Sequence, residues 1–334
     1  MAKSVLVVGN PGSFSREMVA ALRERYSPTF ALNEEFEDRL REKVAGDSGA
    51  LSPEAARQGA RGKGPRPGHL PVPEAPAAAP TGLFDWLDTF EAGHVCYVGG
   101  AVRDETLMPL RNVRVPEALA TYCAARGVRF VYLGSLSIWE AAPHSGIVNE
   151  DTPPAARSTY GRTKLEFEQV VDRLRAQGLR AVGIAPASIV GARARGSSIE
   201  QVIDRARQRP WLRRLRFTGK ISFVTRGDVA RALCLALAGE LPEGRIILAR
   251  NVAIDDVIRQ VAGPVRVRLS AAALVAAAAG AVALARPRSR ALQSLRRLME
   301  TVEFQSARPD ALEPVETQAV VQALVAEAQG TPRR

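Results

Sequence analysis

Apolar residues along this chain form short continuous runs that alternate with longer stretches of helical spacing. The first run covers residues 4–8, a glycine-containing turn follows, and apolar residues recur with helical spacing from position 18 to position 26. A buried strand, a tight turn and an amphipathic helix are the opening unit of a dinucleotide-binding fold. Residues 29–32 are predicted to be the second strand.

The same alternation continues through the middle of the chain. Residues 94–98 and 128–133 are apolar runs that end at glycines, and the apolar face of a helix follows Tyr160. The alternation continues to Pro186 and indicates a parallel sheet with helices on both faces. Beyond Gly191 the pattern predicts helices at 198–209, 254–262 and about 315–328.

Two segments depart from this pattern. Residues 37–80 are charged and then rich in Pro, Gly and Ala, a composition that cannot bury enough apolar surface to order the chain. We predict a disordered surface insertion there; a tether or lid is the alternative. Residues 269–285 carry no charge and are mostly Ala. A membrane span needs about 20 predominantly apolar residues, so we favour a packed or surface helix.

Composition and charge change this picture little. The net charge is +11, but all but five of the 46 basic residues are Arg, which indicates a compositional bias. No cluster interleaves aromatic with basic residues, so we expect no nucleic acid, and an anionic substrate fits the charge equally well. The arginines of 286–297 would suit contact with a membrane surface through 269–297, but Pro287 breaks that segment.

The cysteines and the start of the chain bear on location and metals. The three cysteines lack metal or redox spacing, and the acidic residues lack metal-ligand spacing, so no metal is predicted. The chain opens directly on the first strand, without the pattern of a signal peptide. We expect a cytoplasmic protein in a reducing compartment.

Tyr160, Lys164 and Ser135 are the residues with the clearest chemistry. A phenol titrates near pH ~10, too high for a base at neutral pH. A lysine one helical turn away lies on the same face and favours the phenolate, so it should lower the pKa of Tyr160. Ser135 ends the strand 25 residues upstream, where its hydroxyl can hold the same oxygen. Together they form an acid/base and an orienting group for a carbonyl or alcohol.

In order and spacing these residues resemble the extended short-chain dehydrogenase/reductase family, in particular its nucleotide-sugar epimerase/dehydratase branch. The resemblance covers about residues 3–35 and 83–250. Other segments resemble family elements: 112–120 the helix before the serine strand, 184–191 the strand end that holds Pro186, and 222–232 the family's Phe-Val-x-Val-x-Asp-Val-Ala segment.

The resemblance implies a Rossmann-like, doubly wound α/β fold with a small C-terminal substrate lobe. It places the dinucleotide-binding core in residues 1–190, with 220–250 returning to it, and the lobe with the C-terminal helices in 191–219 and 251–334. A homodimer is compatible with this organisation.

The resemblance also implies roles for individual residues. Tyr160 would exchange a proton with the substrate, and Ser135 would hydrogen-bond the reacting oxygen. Lys164 would hold the nicotinamide ribose, and Asn112 would position a proton-relay water. His144, between Ser135 and Tyr160, is a candidate for substrate contact.

A cofactor site is expected at the turn after the first strand. The family's Gly-x-x-Gly-x-x-Gly is met at two of its three glycines, with Ser15 at the third. Glu34 or Glu35, after the second strand, would bind the adenosine ribose and favour NAD, with NADP as the alternative. The residues expected at the cofactor are Gly9, Gly12, Ser13, Glu34, Gly99, Gly100, Lys164 and Pro186.

Three functions remain open at this point. The leading one is an NAD(P)-dependent epimerase or keto-reductase/dehydrogenase of a nucleotide-linked sugar. Dehydration has least support, because Leu136 and Ser137 follow Ser135 where the family's dehydratases carry Asp-Glu. The alanine-rich segment suggests a reductase of a steroid-like or lipid-like alcohol instead. The imperfect glycine turn suggests a cofactor-binding protein that has lost turnover.

Overall fold

The structure is a computed structural model that describes residues 3–10, 12–34, 37, 81–142, 145–191, 197–264, 269–270 and 301–330. Contacts divide the chain into two compact units. The first unit comprises Met1–Phe130 and Glu166–Arg180, and the second comprises Val131–Leu165 and Ala181–Arg334. The functional division into a core and a substrate lobe stays a prediction.

The first half of the described chain alternates strands and helices as predicted. In order they are β1 (Lys3–Gly9), α1 (Ser13–Leu22), β2 (Tyr26–Leu32), α2 (Thr81–Asp88), β3 (His94–Tyr97), a π-helical turn (Leu110–Arg114), α3 (Val115–Arg126), β4 (Arg129–Leu133), a 3₁₀ turn (Leu136–Trp139), β5 (Ser145–Val148) and α4 (Thr159–Ala176).

The second half adds shorter elements. They are β6 (Ala181–Pro186), β7 (Ser188–Val190), α5 (Ser198–Gln208), a 3₁₀ turn (Pro210–Arg214), β8 (Leu215–Arg216), β9 (Lys220–Thr225), α6 (Arg226–Ala238), β10 (Gly244–Leu248), β11 (Arg250–Ala253), α7 (Ile254–Ala262), β12 (Leu269–Ser270), β13 (Thr301–Phe304), a 3₁₀ turn (Pro309–Ala311) and α8 (Thr317–Gly330).

Six strands form one sheet in the order β10-β6-β4-β3-β1-β2. Within the first unit β1 pairs in parallel with β2 on one side and β3 on the other, and within the second unit β10 pairs in parallel with β6. Apolar runs fill these strands because both faces are buried; every residue of β3, β4 and β6 is buried. The predicted Rossmann-like α/β class is confirmed.

In the first unit the chain reverses its strand order at β1, which lies between β2 and β3. Ligands of open α/β sheets bind at the carboxyl ends of the strands beside such a reversal. The ends of β1 and β3, at Gly9 and Tyr97, are therefore where the fold itself predicts a ligand.

The second unit adds small sheets and a separate apolar core. β9 pairs antiparallel with β11 and parallel with β7, and β5 pairs in parallel with β13. Ile199 of α5, Val257 of α7 and Val321 of α8 are fully buried in one cluster. The predicted helices at 198–209, 254–262 and 315–328 are confirmed as α5, α7 and α8, within two residues at each end.

A buried ion pair joins several segments of the second unit. Arg250 Nη2 lies 2.6 Å from Asp228 Oδ1, with side chains 3% and 0% exposed. Asp228 accepts the backbone N–H groups of Thr225 and Glu313, and Arg250 donates to the carbonyl of Glu313. Burial would raise the pKa of Asp228, but its hydrogen bonds, that from Arg250 first, hold the pKa below its ordinary value.

Two sequence predictions are corrected here. The helix predicted over 18–26 ends at Leu22, and Tyr26 begins β2. Tyr26 is buried because its ring packs edge-on against His94, with 6.2 Å between the ring centroids. It does not continue the apolar face of a helix. Leu269 and Ser270, predicted as the start of a helix, pair as a strand with Leu215 and Arg216.

Other predictions fall on residues the structure does not describe. Residues 38–80, His144 and 271–300 lie outside the described residues, whereas Glu37, assigned to the predicted insertion, is helical and 3% exposed. No helix in the described ranges is long and apolar enough to cross a membrane. Contact with a membrane surface, the cytoplasmic location and the homodimer stay predictions.

Candidate functional site

The turn after β1 leaves the start of helix α1 open to an anion. Gly12 precedes the helix in extended conformation, no acidic residue occupies the first turn, and among the residues that the structure describes no side chain caps it. A Cβ atom added at Gly12 would meet nothing within 4 Å. Backbone N–H groups at such a helix start favour phosphate. Ser13, also predicted at the cofactor, is the first residue of α1.

Gly9, by contrast, is enclosed by protein. A Cβ at this position would lie 2.8 Å from Val98 Cγ2 and 3.0 Å from Ser15 Oγ. Ser15, which stands at the third glycine position, is 3% exposed and fills the space beside Gly9. The two matching glycines of the motif therefore have different surroundings: a side chain at Gly9 would clash with the protein, whereas Gly12 faces open space.

Gly99 and Gly100, predicted beside the cofactor, also need to be glycine. A Cβ at Gly99 would lie 2.4 Å from Asn33 Nδ2 and 2.9 Å from the Tyr97 ring. Gly100 has φ of 145°, a conformation that side chains rarely adopt. Its carbonyl accepts a hydrogen bond of 2.6 Å from Asn10 Nδ2.

Asn33 is a residue that sequence reasoning missed. It follows the last residue of β2, is 0% exposed, and donates from Nδ2 to Asn10 Oδ1 at 2.7 Å. Its buried Oδ1 has no hydrogen-bond partner among the described residues. A buried acceptor without a partner costs about 1–3 kcal/mol, so a donor from a ligand would be favourable there. Glu34, the predicted ribose contact, is the next residue and is exposed.

Tyr97 and its neighbours form a rigid support at the end of β3. The Tyr97 hydroxyl donates to the carbonyl of Arg111 at 2.5 Å, and Arg111 Nε pairs with the buried Glu37 carboxylate at 2.5 Å. Burial raises the pKa of Tyr97 far above its ordinary value, and a hydrogen bond from Asn33 opposes that shift. Tyr97 therefore stays protonated and serves as a structural donor.

Asn112 lies in the π-helical turn and is 0% exposed. Its Oδ1 accepts from the Ala101 backbone N–H at 2.8 Å, and its Nδ2 donates to the Ala101 carbonyl at 2.9 Å. The carboxamide thus holds the loop that follows Gly99 and Gly100. Single π-turns occur frequently at functional sites. The water-positioning role of Asn112 stays a prediction.

The predicted acid/base group lies in the second unit. Ser135 caps the 3₁₀ turn that follows β4; its Oγ accepts from the Ser137 N–H and donates to Ser137 Oγ, each at 3.1 Å. Tyr160 is the second residue of α4, and an interaction of its hydroxyl with the Ser135 side chain lowers its pKa. The structure thus places these two side chains within reach of each other.

Lys164 is one turn further along α4 and is 4% exposed. Its Nζ donates to the Leu133 carbonyl at 2.9 Å, at the end of β4. Pro186, another predicted cofactor contact, is buried at the end of β6 opposite Leu248. Lys164 therefore links the helix of Tyr160 to the strand that leads to Ser135.

The ionisation of Tyr160 differs from the sequence prediction. Burial raises its pKa, the hydrogen bond with Ser135 lowers it, and the charge of Glu140 raises it further, with a net upward shift. We predicted that Lys164 would lower this pKa. The predicted downward shift is wrong, because burial outweighs the opposing hydrogen bond with Ser135 and the net shift is upward.

Comparison with known proteins identifies a family over part of the chain. Residues 90–249 match the model of the NAD dependent epimerase/dehydratase family. No curated protein sequence matches the chain significantly. Over residues 90–249 this match confirms the family predicted from the sequence, and with it the enzyme class of NAD(P)-dependent oxidoreductase or epimerase.

Solved structures share the fold over nearly the whole chain. The Bordetella bronchiseptica enzyme WbmG in complex with NAD has a TM-score of 0.61 at 15% identity, over 98% of this chain and 94% of that one. UDP-glucose 4-epimerase of Thermotoga maritima with UDP-glucose has a TM-score of 0.59 at 13% identity, over 98% of both chains. The Bacillus anthracis dTDP-4-dehydrorhamnose reductase with NADP has 0.58 at 11%, also over 98% of both.

Proposed function

Because residues 90–249 belong to the NAD dependent epimerase/dehydratase family, we propose that this protein is an NAD(P)-dependent epimerase or keto-reductase of a nucleotide-linked sugar. The observation that carries the proposal is the interaction of the Ser135 side chain with the Tyr160 hydroxyl, with Lys164 buried one helical turn away. The solved structures with UDP-glucose, NAD and NADP support the ligand classes.

Tyr160 is the proposed proton donor and acceptor. Its raised pKa keeps the phenol protonated at neutral pH, so it is ready to give a proton to a sugar ketone. In the opposite direction it takes the proton of a sugar hydroxyl, which is easier at higher pH. Ser135 orients the reacting oxygen, and Lys164 fixes the helix turn that carries the phenol.

The residues of the first unit fit a dinucleotide. The open start of α1 after Gly12 suits the pyrophosphate, and the unpartnered Oδ1 of Asn33 can accept from a ribose hydroxyl. A bound nicotinamide supplies the hydride acceptor and donor for the reaction. We propose NAD as this cofactor, because Glu34 adjoins the ribose acceptor and its carboxylate would repel a 2′-phosphate.

Turnover of a panel of sugars linked to UDP, dTDP, GDP and ADP tests this proposal. Each sugar is incubated with NAD, NADH or NADPH; product sugars are separated by chromatography, and reduced cofactor is followed by absorbance. Tyr160→Phe should lower kcat by about 10²- to 10⁴-fold without loss of cofactor binding, since removing a general acid/base has that cost.

Tyr122→Phe is the matched control, because the Tyr122 hydroxyl bonds Asp88 in the first unit. It should retain turnover. Wild-type kcat in Tyr160→Phe would remove the acid/base assignment, and a wild-type protein that binds cofactor but converts none of these sugars would contradict the substrate class.

A further inference from the structure

Glu140 joins the segment of Ser135 to the segment of Tyr160. It directly follows the 3₁₀ turn that Ser135 caps. Its carboxylate accepts from the Ser158 backbone N–H at 2.7 Å and from Ser158 Oγ at 2.9 Å, and more weakly from the Arg157 N–H at 3.4 Å. The backbone bond, at 2.7 Å, has the short length of a charge-assisted hydrogen bond.

Ser158 passes this connection on to helix α4. It immediately precedes the helix, and its Oγ accepts from the Gly161 N–H at 2.9 Å, which satisfies a donor in the first turn. A carboxylate, a hydroxyl and a helix N–H thus form one continuous chain of hydrogen bonds. The last group, the Gly161 N–H, belongs to the residue that follows Tyr160.

Gly161 allows the two segments to approach closely. A Cβ at this position would lie 2.6 Å from the Ser137 carbonyl and 3.1 Å from Glu140 Oε2. The backbone of the serine turn therefore packs directly on the first turn of α4. Such proximity leaves little freedom between Ser135 and Tyr160 as long as the Glu140–Ser158 connection is intact.

We propose that Glu140 is a positioning residue for Tyr160: through Ser158 it clamps the Ser135 turn against the first turn of α4 and fixes the distance between the two hydroxyls. This inference rests on the proposed function, because it assigns to Glu140 the geometry of the proposed acid/base. Lys164 holds the same helix from its other side through the Leu133 carbonyl. The phenol is thus held by two independent connections within the second unit.

The charge of Glu140 makes the clamp measurable. It raises the pKa of Tyr160. Three cations also lie near this helix start: Arg157; Arg162, which donates to the Arg157 carbonyl; and Lys164, which donates to the Leu133 carbonyl. Removal of the Glu140 charge should therefore lower the pKa of Tyr160, whereas loss of positioning lowers turnover. The titration thus reports how the Glu140 charge acts on the phenol, and a selective loss of kcat reports positioning.

The experiment compares Glu140→Gln, Glu140→Asp and Ser158→Ala, with Glu166→Gln as an exposed control on the same helix. We expect Glu140→Gln to lower kcat about 10- to 100-fold, the range that a small misplacement of reacting groups costs. Glu140→Asp keeps the charge and should recover part of the rate. Ser158→Ala should lower kcat without a fall in the Tyr160 pKa.

The pKa of Tyr160 is measured directly by ultraviolet titration of the full chain, with Tyr160→Phe as the blank. This readout needs no substrate. Ser158→Ala keeps the Glu140 charge, so a rise of the Tyr160 pKa in that variant, through loss of the Ser135 interaction, tests the clamp even if no sugar is turned over; in that case only the proposed function fails. An unchanged titration and unchanged kcat in Glu140→Gln would overturn the proposal. A lower melting temperature with an unchanged Tyr160 titration would also overturn it, because Glu140 would then be merely structural.

Discussion

At the scale of single residues, the ionisation of Tyr160 depends on two neighbours that act in opposite directions. Burial raises its pKa first; then the Ser135 hydrogen bond lowers it and the Glu140 charge raises it. The phenol therefore keeps its proton at neutral pH, and in the proposed reaction the alkaline part of the activity profile should report its loss of the proton.

Ser135→Ala should move that profile to higher pH. The lost hydrogen bond favoured the phenolate, so its removal raises the pKa of Tyr160 and delays formation of the base. The measurement is kcat/KM for alcohol oxidation as a function of pH. Ser222→Ala, whose hydroxyl donates to Asn251 in another part of the second unit, serves as the control. A profile that shifts to lower pH, or does not shift, would contradict the role of the Ser135 bond.

Sequence reasoning found some of these residues and missed others for a physical reason. Tyr160 and Lys164 have a fixed helical spacing, and Ser135 ends a strand whose apolar run is plain in the sequence. Asn33 and Glu140 have no such local signal. Asn33 matters because its Oδ1 is buried without a partner among the described residues and its Nδ2 bonds Asn10. Glu140 matters because it bonds Ser158. Only the folded chain defines these contacts.

At the scale of elements, the strand-turn-helix unit at the start of the chain separates two kinds of glycine. Gly9 is surrounded by Val98 and Ser15, whereas a side chain at Gly12 would point into open space at the helix start. In the same sequence motif, packing therefore requires glycine at Gly9, and the proposed ligand would require it at Gly12.

Gly9→Ala and Gly12→Ala should have different effects. The first overpacks the interior and should cost about 1–3 kcal/mol of unfolding free energy. The second should change stability by less than about 0.5 kcal/mol but weaken NAD binding at least about tenfold, because the new methyl group would occupy the space beside the helix N–H groups. Chemical denaturation and calorimetry with NAD measure the two effects. Equal losses of stability in both variants would show that Gly12 also has a packing role.

Element boundaries were harder to predict than the elements themselves. Periodicity identified α5, α7 and α8, whose apolar stripes pack into one core. Periodicity failed at Tyr26 and Leu269 because an apolar residue fits equally well on the apolar face of a helix and in a strand. Which one forms depends on the pairing partner: β1 for Tyr26 and Leu215 for Leu269.

At the scale of the whole molecule, the fold class followed from the sequence, but the balance of charges at the sites did not. Alternating apolar runs and helical stretches are enough to predict a parallel α/β sheet, because each run must be covered on both faces. The direction of the Tyr160 pKa could not be predicted in this way. The shift depends on how deeply the fold buries the phenol, whereas the spacing of Lys164 alone predicted a lower pKa.

The last prediction concerns the response of the full chain to its cofactor. A ligand that binds only the folded state stabilises it by about 2.7 kcal/mol at 100 times its dissociation constant, so NAD should raise the melting temperature measurably. NADP at equal concentration should raise it less, because the exposed carboxylate of Glu34 follows Asn33, the proposed ribose acceptor, and would repel the added phosphate. Glu34→Gln should narrow the difference, and Glu24→Gln, an exposed glutamate beyond helix α1, should not. A larger shift with NADP in the wild type would mean that basic residues govern this end of the site. No shift with either dinucleotide would remove the chemical basis of the proposed reaction.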